Sequence, residues 1–250
     1  MFLSAESVAK SVLLFFTATA VCFASIPPQP KAQEEFRKKF DAPSAASHNK
    51  SRSTSEPPWF DYKAAGTTFG LFYFPYLFSS WVVLMSALDA THTLNLFPRI
   101  MPVGHNTTSQ IINAQLIVGL VLTTTAAALR FTAFRTLGKL FTYQLAILPE
   151  HKLVTNGIYA YCRHPSYTAL WFIFLGELLM VTAPGSVVYD NLGIDSTIRL
   201  TILLGLAVAH SLHLFMRRAE LEDQVLRKEF GIEWEEWARK VPYKFIPYVF

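Results

Sequence analysis

The sequence predicts an all-α integral membrane protein of about five transmembrane helices, and three observations carry that prediction. Hydrophobic residues make up 52% of the chain against 16% charged. The apolar residues gather in runs long enough to cross a bilayer as helices. Basic residues, finally, alternate between the connections that separate those runs. A chain of 250 residues could form one or two soluble domains, but this composition points away from water as the main solvent. The 21 phenylalanines and 10 tyrosines suit a bilayer and its interfaces. The net charge of +4 comes from a few connecting segments rather than one patch, which argues against a nucleic-acid partner. Two cysteines, Cys22 in an apolar run and Cys162 beside a polar stretch, supply neither a disulfide framework nor a Cys-based metal site.

Residues 1–26 form the first span. The run from Val8 to Ile26 is closed by Pro27 and Pro28. A cleaved signal peptide is its rival, since Lys10 precedes a short apolar core and Cys22-Phe23-Ala24 precedes Ser25. Residues 27–63 are rich in Pro, Ser, Ala and charge and read as a partly disordered linker, with a short helix at Gln33 to Phe40. Residues 64–129 carry two spans, one from Ala64 to Leu88 with a kink at Pro75 and one from Ile111 to Leu129. Arg130 to Tyr143, in which basic residues alternate with phenylalanines, reads as an amphipathic piece lying in the interface. A fourth span from about Ser166 to Ala183 stops at Pro184 and Gly185, and a fifth runs from about Thr197 to Met216. Residues 130–250 thus hold two spans and a charged C-terminal segment.

Charge sets the orientation. Segments 27–63, 130–164 and 217–250 carry seven, five and seven Lys or Arg, whereas 89–110 carries one and 184–197 none. The positive-inside rule makes the three basic segments cytosolic. Five spans then place the amino terminus outside, so the first apolar run stays as a helix. Asn49 should be an unused sequon, and Asn106 a lumenal one close to the membrane.

Polar chemistry is concentrated in HKLVTNGIYAYCRHPSY, residues 151–167, with two histidines, an arginine and three tyrosines at the mouth of the fourth span. Such a segment can hold a polar cofactor. It can equally be a positive flank with interfacial aromatic anchors. The topology puts it on the same membrane face as the C-terminal segment, where Leu221, Val225 and Leu226 form a helical stripe and Gly231 is a plausible stop. Arg218 and Glu222 are neighbours at a four-residue spacing, with Asp223 one step round. As an exposed pair they would contribute only a few tenths of a kcal/mol. Glu177, His210 and His213 lie within spans, are costly in lipid and should face the protein interior. Glu177 fits either a structural hydrogen-bond role or the lining of a substrate passage. His151, His164 and Glu222 lack the local spacing of a metal site, so no metal is expected.

Together these blocks resemble the isoprenylcysteine carboxyl methyltransferase family, which carries H-x-L-V-T-x-G-x-Y, then R-H-P-S-Y, then an acidic helix ending F-G. They stand here as His151, Leu153 to Thr155, Gly157, Tyr159, Arg163 to Tyr167, and Glu222-Asp223 through Phe230-Gly231. The resemblance runs from about Arg130 to Ile246-Pro247. One departure is that the family usually has two glutamates where this chain has Glu222-Asp223, which leaves the role of Asp223 open. The resemblance implies a cytosolic C-terminal helix beside a cofactor-binding loop, S-adenosyl-L-methionine as methyl donor, and the carboxylate of a C-terminal prenylated cysteine as acceptor. It implies that His151, Lys152, Leu153, Val154, Tyr159, Arg163, His164, Pro165 and Ser166 wrap the cofactor, with Gly157 and Tyr167 in the same motif. Glu222 would also contact the cofactor, and Arg218 would face the substrate. Prenylated proteins or peptides and the lipid bilayer are then the partners, and the endoplasmic reticulum membrane, with the site facing the cytosol, is the location.

The chemistry agrees with this expectation. A carboxylate is already ionised at neutral pH, so its methylation needs no strong base and depends chiefly on positioning, which can supply roughly 7–11 kcal/mol of the barrier. Three other readings remain open: a phospholipid N-methyltransferase, which shares the RHP-containing stretch but needs a general base for its amine, an NADPH-dependent sterol-type reductase, and a non-catalytic membrane scaffold.

Overall fold

A computed structural model of the chain describes residues 5–25, 112–141 and 152–249. They form five α-helices, α1 (Ala5–Ser25), α2 (Ala114–Leu137), α3 (Pro165–Thr182), α4 (Val187–Phe230) and α5 (Ile232–Lys240), with 3-10 turns at Gly138–Leu140 and Gly157–Ala160. There is no strand among the described residues. Three stretches are long and apolar enough to cross a membrane, Ala114–Leu140, Pro165–Thr182 and Ile194–Phe230, and α1 contains a shorter apolar piece, Val12–Val21. The expected linker at 27–63, the expected span at 64–88 and His151 lie outside the described residues.

Two boundaries differ from the sequence expectation. Arg130 to Tyr143 does not start a separate interfacial piece, because α2 continues unbroken to Leu137. Helical spacing explains the difference, since Arg130 lies over the Phe134 ring at 4.6 Å and Arg135 over Phe131 at 5.8 Å. The fifth span, expected from about Thr197 to Met216, is part of a 44-residue helix. At a 1.5 Å rise that is about 66 Å, roughly twice the hydrocarbon thickness of a bilayer. Helix α4 therefore carries its charged second half well beyond an apolar first half, and Gly231, at φ 52°, ends it.

The described residues divide into two compact units, one of residues 5–25, 112–128 and 169–211 and the other of 129–141, 152–168 and 212–249. The first is held by Leu14, Leu116, Leu120, Met180 and Ala183. Asn113 begins α2, accepting from the Leu116 amide at 2.8 Å while its amide donates to the Pro184 carbonyl at 2.6 Å. Lys10 is buried and donates to the Gly185 carbonyl. Gly119 and Gly176 let α2 and α3 approach closely: a Cβ on Gly176 would lie 2.8 Å from the Gly119 carbonyl oxygen. Glu177 is 2% exposed, and neither of its carboxyl oxygens has a hydrogen-bond partner among the described residues.

His210 and His213 correct an expectation, because both are exposed rather than turned inward. They follow exposed Leu206 at i+4 and i+7, on the face of α4 that packing leaves open.

The second unit is built on Ala133, Tyr159, Trp234, Trp237 and Val241, with Leu153, Val154 and Ile158 packed against them. The apolar residues of the 152–159 stretch are thus core residues of this unit.

The close approach at Gly176 is testable by substitution. Gly176→Ala should destabilise the detergent-solubilised protein by about 1–3 kcal/mol through overpacking, read as a lower unfolding temperature. An unchanged temperature would contradict this packing.

Candidate functional site

The polar stretch folds around fixed backbone contacts. Gly157 opens its 3-10 turn at φ 60°, where a side chain would be strained, and a Cβ there would come 3.2 Å from Thr136 Cγ2. Tyr159 is buried, and its carbonyl accepts from Trp237 Nε1 at 3.2 Å. Burial, with Glu222 nearby, raises the Tyr159 phenol and keeps it protonated. Burial also pushes the Cys162 thiol up to about 11, so this cysteine is an unreactive packing residue at neutral pH.

The next residues are clamped by the C-terminal segment. The amides of Arg163 and His164 donate to the carbonyls of Tyr243 and Lys244 at 3.0 and 2.8 Å. Thr168 Oγ1 donates to the Phe245 carbonyl at 2.8 Å. Pro165 then begins α3 at a position where its missing N–H has no helical partner to lose. Ser166, in the same first turn, accepts from buried Arg130 through both its hydroxyl, at 2.7 Å, and its carbonyl, at 3.2 Å.

Helix α4 supplies the opposite charges. His164 is buried between two carboxylates: Nδ1 is 3.4 Å from Glu222 Oε2, and Nε2 is 3.1 Å from Asp223 Oδ1. Arg163 Nη1 is 3.5 Å from Asp223 Oδ2. Glu222 Oε1 accepts from the Tyr167 hydroxyl at 2.6 Å and from Arg218 Nε at 3.2 Å. Rings fix these groups from the side. Tyr167 stacks on His164 at 5.8 Å and on Phe215 at 5.5 Å, while Arg163 lies over Trp234 at 5.5 Å. Burial alone would lower the His164 pKa, but its hydrogen bonds and ion pairs with Asp223 and Glu222 outweigh that and raise it above the ordinary histidine value.

Of the residues singled out from the sequence, Arg163, His164, Tyr167, Arg218 and Glu222 meet directly in this cluster. Leu153, Val154 and Tyr159 lie in the adjoining apolar core, Pro165 and Ser166 form the helix start, and Lys152 and Gly157 are exposed. Three contributors were not singled out as site residues. In the sequence Arg130 reads only as an interfacial charge, although its place at the head of the motif-bearing half is a signal. Asp223 departs from the family pattern, which gives it no assigned role. The carbonyls of residues 243–245 have no side-chain signature at all.

The architecture is that of a helical protein with membrane-length helices and a mostly buried ionic cluster where the charged half of one helix meets a proline-started turn. Its residues 117–228 match the model of the isoprenylcysteine carboxyl methyltransferase (ICMT) family. Among curated relatives, a rice (Oryza sativa subsp. japonica) protein named as a probable protein-S-isoprenylcysteine O-methyltransferase is 32% identical over 134 residues, 53% of this chain and 61% of the relative. Protein-S-isoprenylcysteine O-methyltransferase B of Arabidopsis thaliana is 31% identical over 133 residues, 52% of this chain and 58% of its own. The Homo sapiens protein-S-isoprenylcysteine O-methyltransferase is 30% identical over 129 residues, 50% of this chain and 39% of its own. The family that the motifs resemble is the one the comparisons find, and the chain spans about three fifths or less of these relatives' lengths.

A cation favoured by folding holds its proton more tightly in the native state than in the unfolded chain. The stability contributed by His164 is therefore complete below the ordinary histidine pKa of about 6.5 and disappears as pH rises through the higher native value. The stability difference between the wild-type protein and His164→Gln should shrink as pH is raised from about 6 to 9. A difference that stayed constant over that range would contradict the ionic role of His164.

Proposed function

We propose that the chain is an S-adenosyl-L-methionine-dependent methyltransferase that esterifies the free carboxylate of a C-terminal prenylated cysteine, in proteins or peptides, at a membrane surface. The observation that carries this reading is the meeting of the Arg163 to Tyr167 motif with Arg218 and Glu222 in one charged cluster. The names of the relatives support the same chemistry. The donor set also fits the cofactor, because Arg163 Nε is a buried N–H with no hydrogen-bond partner among the described residues, suited to a carboxylate such as that of the donor's amino-acid portion.

In this reading the residues from His151 to Val154, with Gly157, Tyr159, Arg163 to Tyr167 and Glu222, hold the donor. When bound, S-adenosyl-L-methionine supplies a methyl group activated on a sulfonium. Glu222 accepts hydrogen bonds from the donor's amino or ribose groups, and its contacts with His164, Tyr167 and Arg218 fix the carboxylate in advance. Arg218, held against Glu222 through Nε, would orient an acceptor carboxylate through the planar fork of its guanidinium. No residue need remove a proton, because the acceptor is already anionic. A water-soluble donor and a lipid-soluble prenyl chain can both reach such a site at the membrane interface. The basic connections favour a cytosolic-facing site in a multi-pass protein, and the family resemblance suggests the endoplasmic reticulum membrane.

Membranes containing the protein, radiolabelled donor and N-acetyl farnesylcysteine should yield base-labile label on that acceptor. Label in lipid instead would replace this reading with a phospholipid methyltransferase, and no label in either would refute methyl transfer. Arg218→Ala should lower acceptor kcat/KM by about tenfold to a hundredfold, the loss expected for a charge-assisted hydrogen bond, while donor binding survives. Glu222→Ala should weaken donor binding. The reverse pattern would overturn the assignment of roles.

A further inference from the structure

The position of His164 carries more than the proposed reaction requires. Both ring nitrogens face carboxylate oxygens, Nδ1 toward Glu222 Oε2 at 3.4 Å and Nε2 toward Asp223 Oδ1 at 3.1 Å. A neutral imidazole has one N–H and one lone pair, so one of the two carboxylates would then face a lone pair. Only the imidazolium donates to both. Asp223 is engaged twice, with Oδ1 on His164 and Oδ2 on Arg163 Nη1 at 3.5 Å, and its side chain is largely buried.

The remaining neighbours do not replace this charge. Tyr167 and Phe245 present rings to His164 at 5.8 and 5.9 Å, the His164 amide is taken by the Lys244 carbonyl, and Arg218 faces Glu222. With His164 protonated, the group of Arg163, His164, Arg218, Glu222 and Asp223 has a formal charge of about +1, which suits an anionic acceptor. With His164 neutral, that excess is lost and the hold on Glu222 weakens.

The geometry points to Asp223 as a positioning residue that keeps His164 doubly protonated at neutral pH and thereby holds Glu222 in place for the donor. This deepens the methyltransferase reading and rests on it for the identity of the ligand. Asp223 itself touches only Arg163 and His164 in this role. It acts through them.

The test has a readout that does not depend on turnover. In full-length, 15N-histidine-labelled protein in detergent, the His164 signals, assigned by their loss in His164→Gln, should report both ring nitrogens protonated at pH 7.5. In Asp223→Asn, with one of the two carboxylates that favour the imidazolium removed, the His164 pKa should fall and its signals should show a larger neutral fraction at pH 7.5 than in the wild-type protein. Binding of radiolabelled S-adenosyl-L-methionine to that variant should then weaken as pH is raised from 5.5 to 7.5. Asp223→Glu should retain the doubly protonated signal and most of the binding. A neutral His164 in the wild-type protein, or an Asp223→Asn variant with unchanged His164 signals and pH-independent binding, would overturn the proposal. If Asp223→Asn does not fold, the wild-type and Asp223→Glu spectra decide it. Failure of methyl transfer to N-acetyl farnesylcysteine would sink the function, while the spectra would still settle the protonation of His164.

Discussion

His164 is tied to two carboxylates, and Asp223, the farther along the chain, is 59 residues away. Charges removed from water are costly unless each finds a partner, and removing one partner from such a group exposes that cost. The second unit can therefore adopt this arrangement only if the turn before α3 and the charged half of α4 come together in register. The other contacts serve that register. Three hydrogen bonds from Arg163, His164 and Thr168 to the backbone of residues 243–245 fix the turn, Arg130 holds the start of α3, and Trp234 and Trp237 close the apolar side.

The unusual length of α4 belongs to the same logic. A helix that stopped where its apolar stretch ends would leave Arg218, Glu222 and Asp223 on a connection, where long side chains lose more freedom on pairing. Continuing as helix places Arg218 and Glu222 one turn apart and Asp223 on the adjoining side, so one rigid element presents a cation and two anions. The proposed methyl transfer needs such rigidity because positioning, rather than proton removal, would provide most of its acceleration.

Hydropathy made the helices legible. Pro165, Pro184 and Gly231 mark real ends, and the apolar stretches of α2, α3 and α4 coincide with sequence runs. Hydropathy also misled wherever charge continued a helix: the tail of α2 looked like an interfacial piece because Arg130 and Arg135 interrupt its apolar pattern. The histidines of α4 illustrate a different limit, since the cost of a polar group in lipid gives no information about which face of a helix neighbouring elements cover. Spacing placed Arg218 beside Glu222, and the motif blocks suggested a charged site, but nothing local revealed that Asp223 would engage Arg163 and His164 together. That information lies in the tertiary fold, as does the clamp made by the backbone carbonyls of residues 243–245.

The most direct measurement is a double-mutant cycle on unfolding stability with His164→Gln, Asp223→Asn and the double variant in the full-length protein. Groups in direct contact within one buried network should be non-additive by about 1 kcal/mol or more. Additivity within about 0.5 kcal/mol would mean that the two side chains do not meet, and the cluster on which this account stands would be absent.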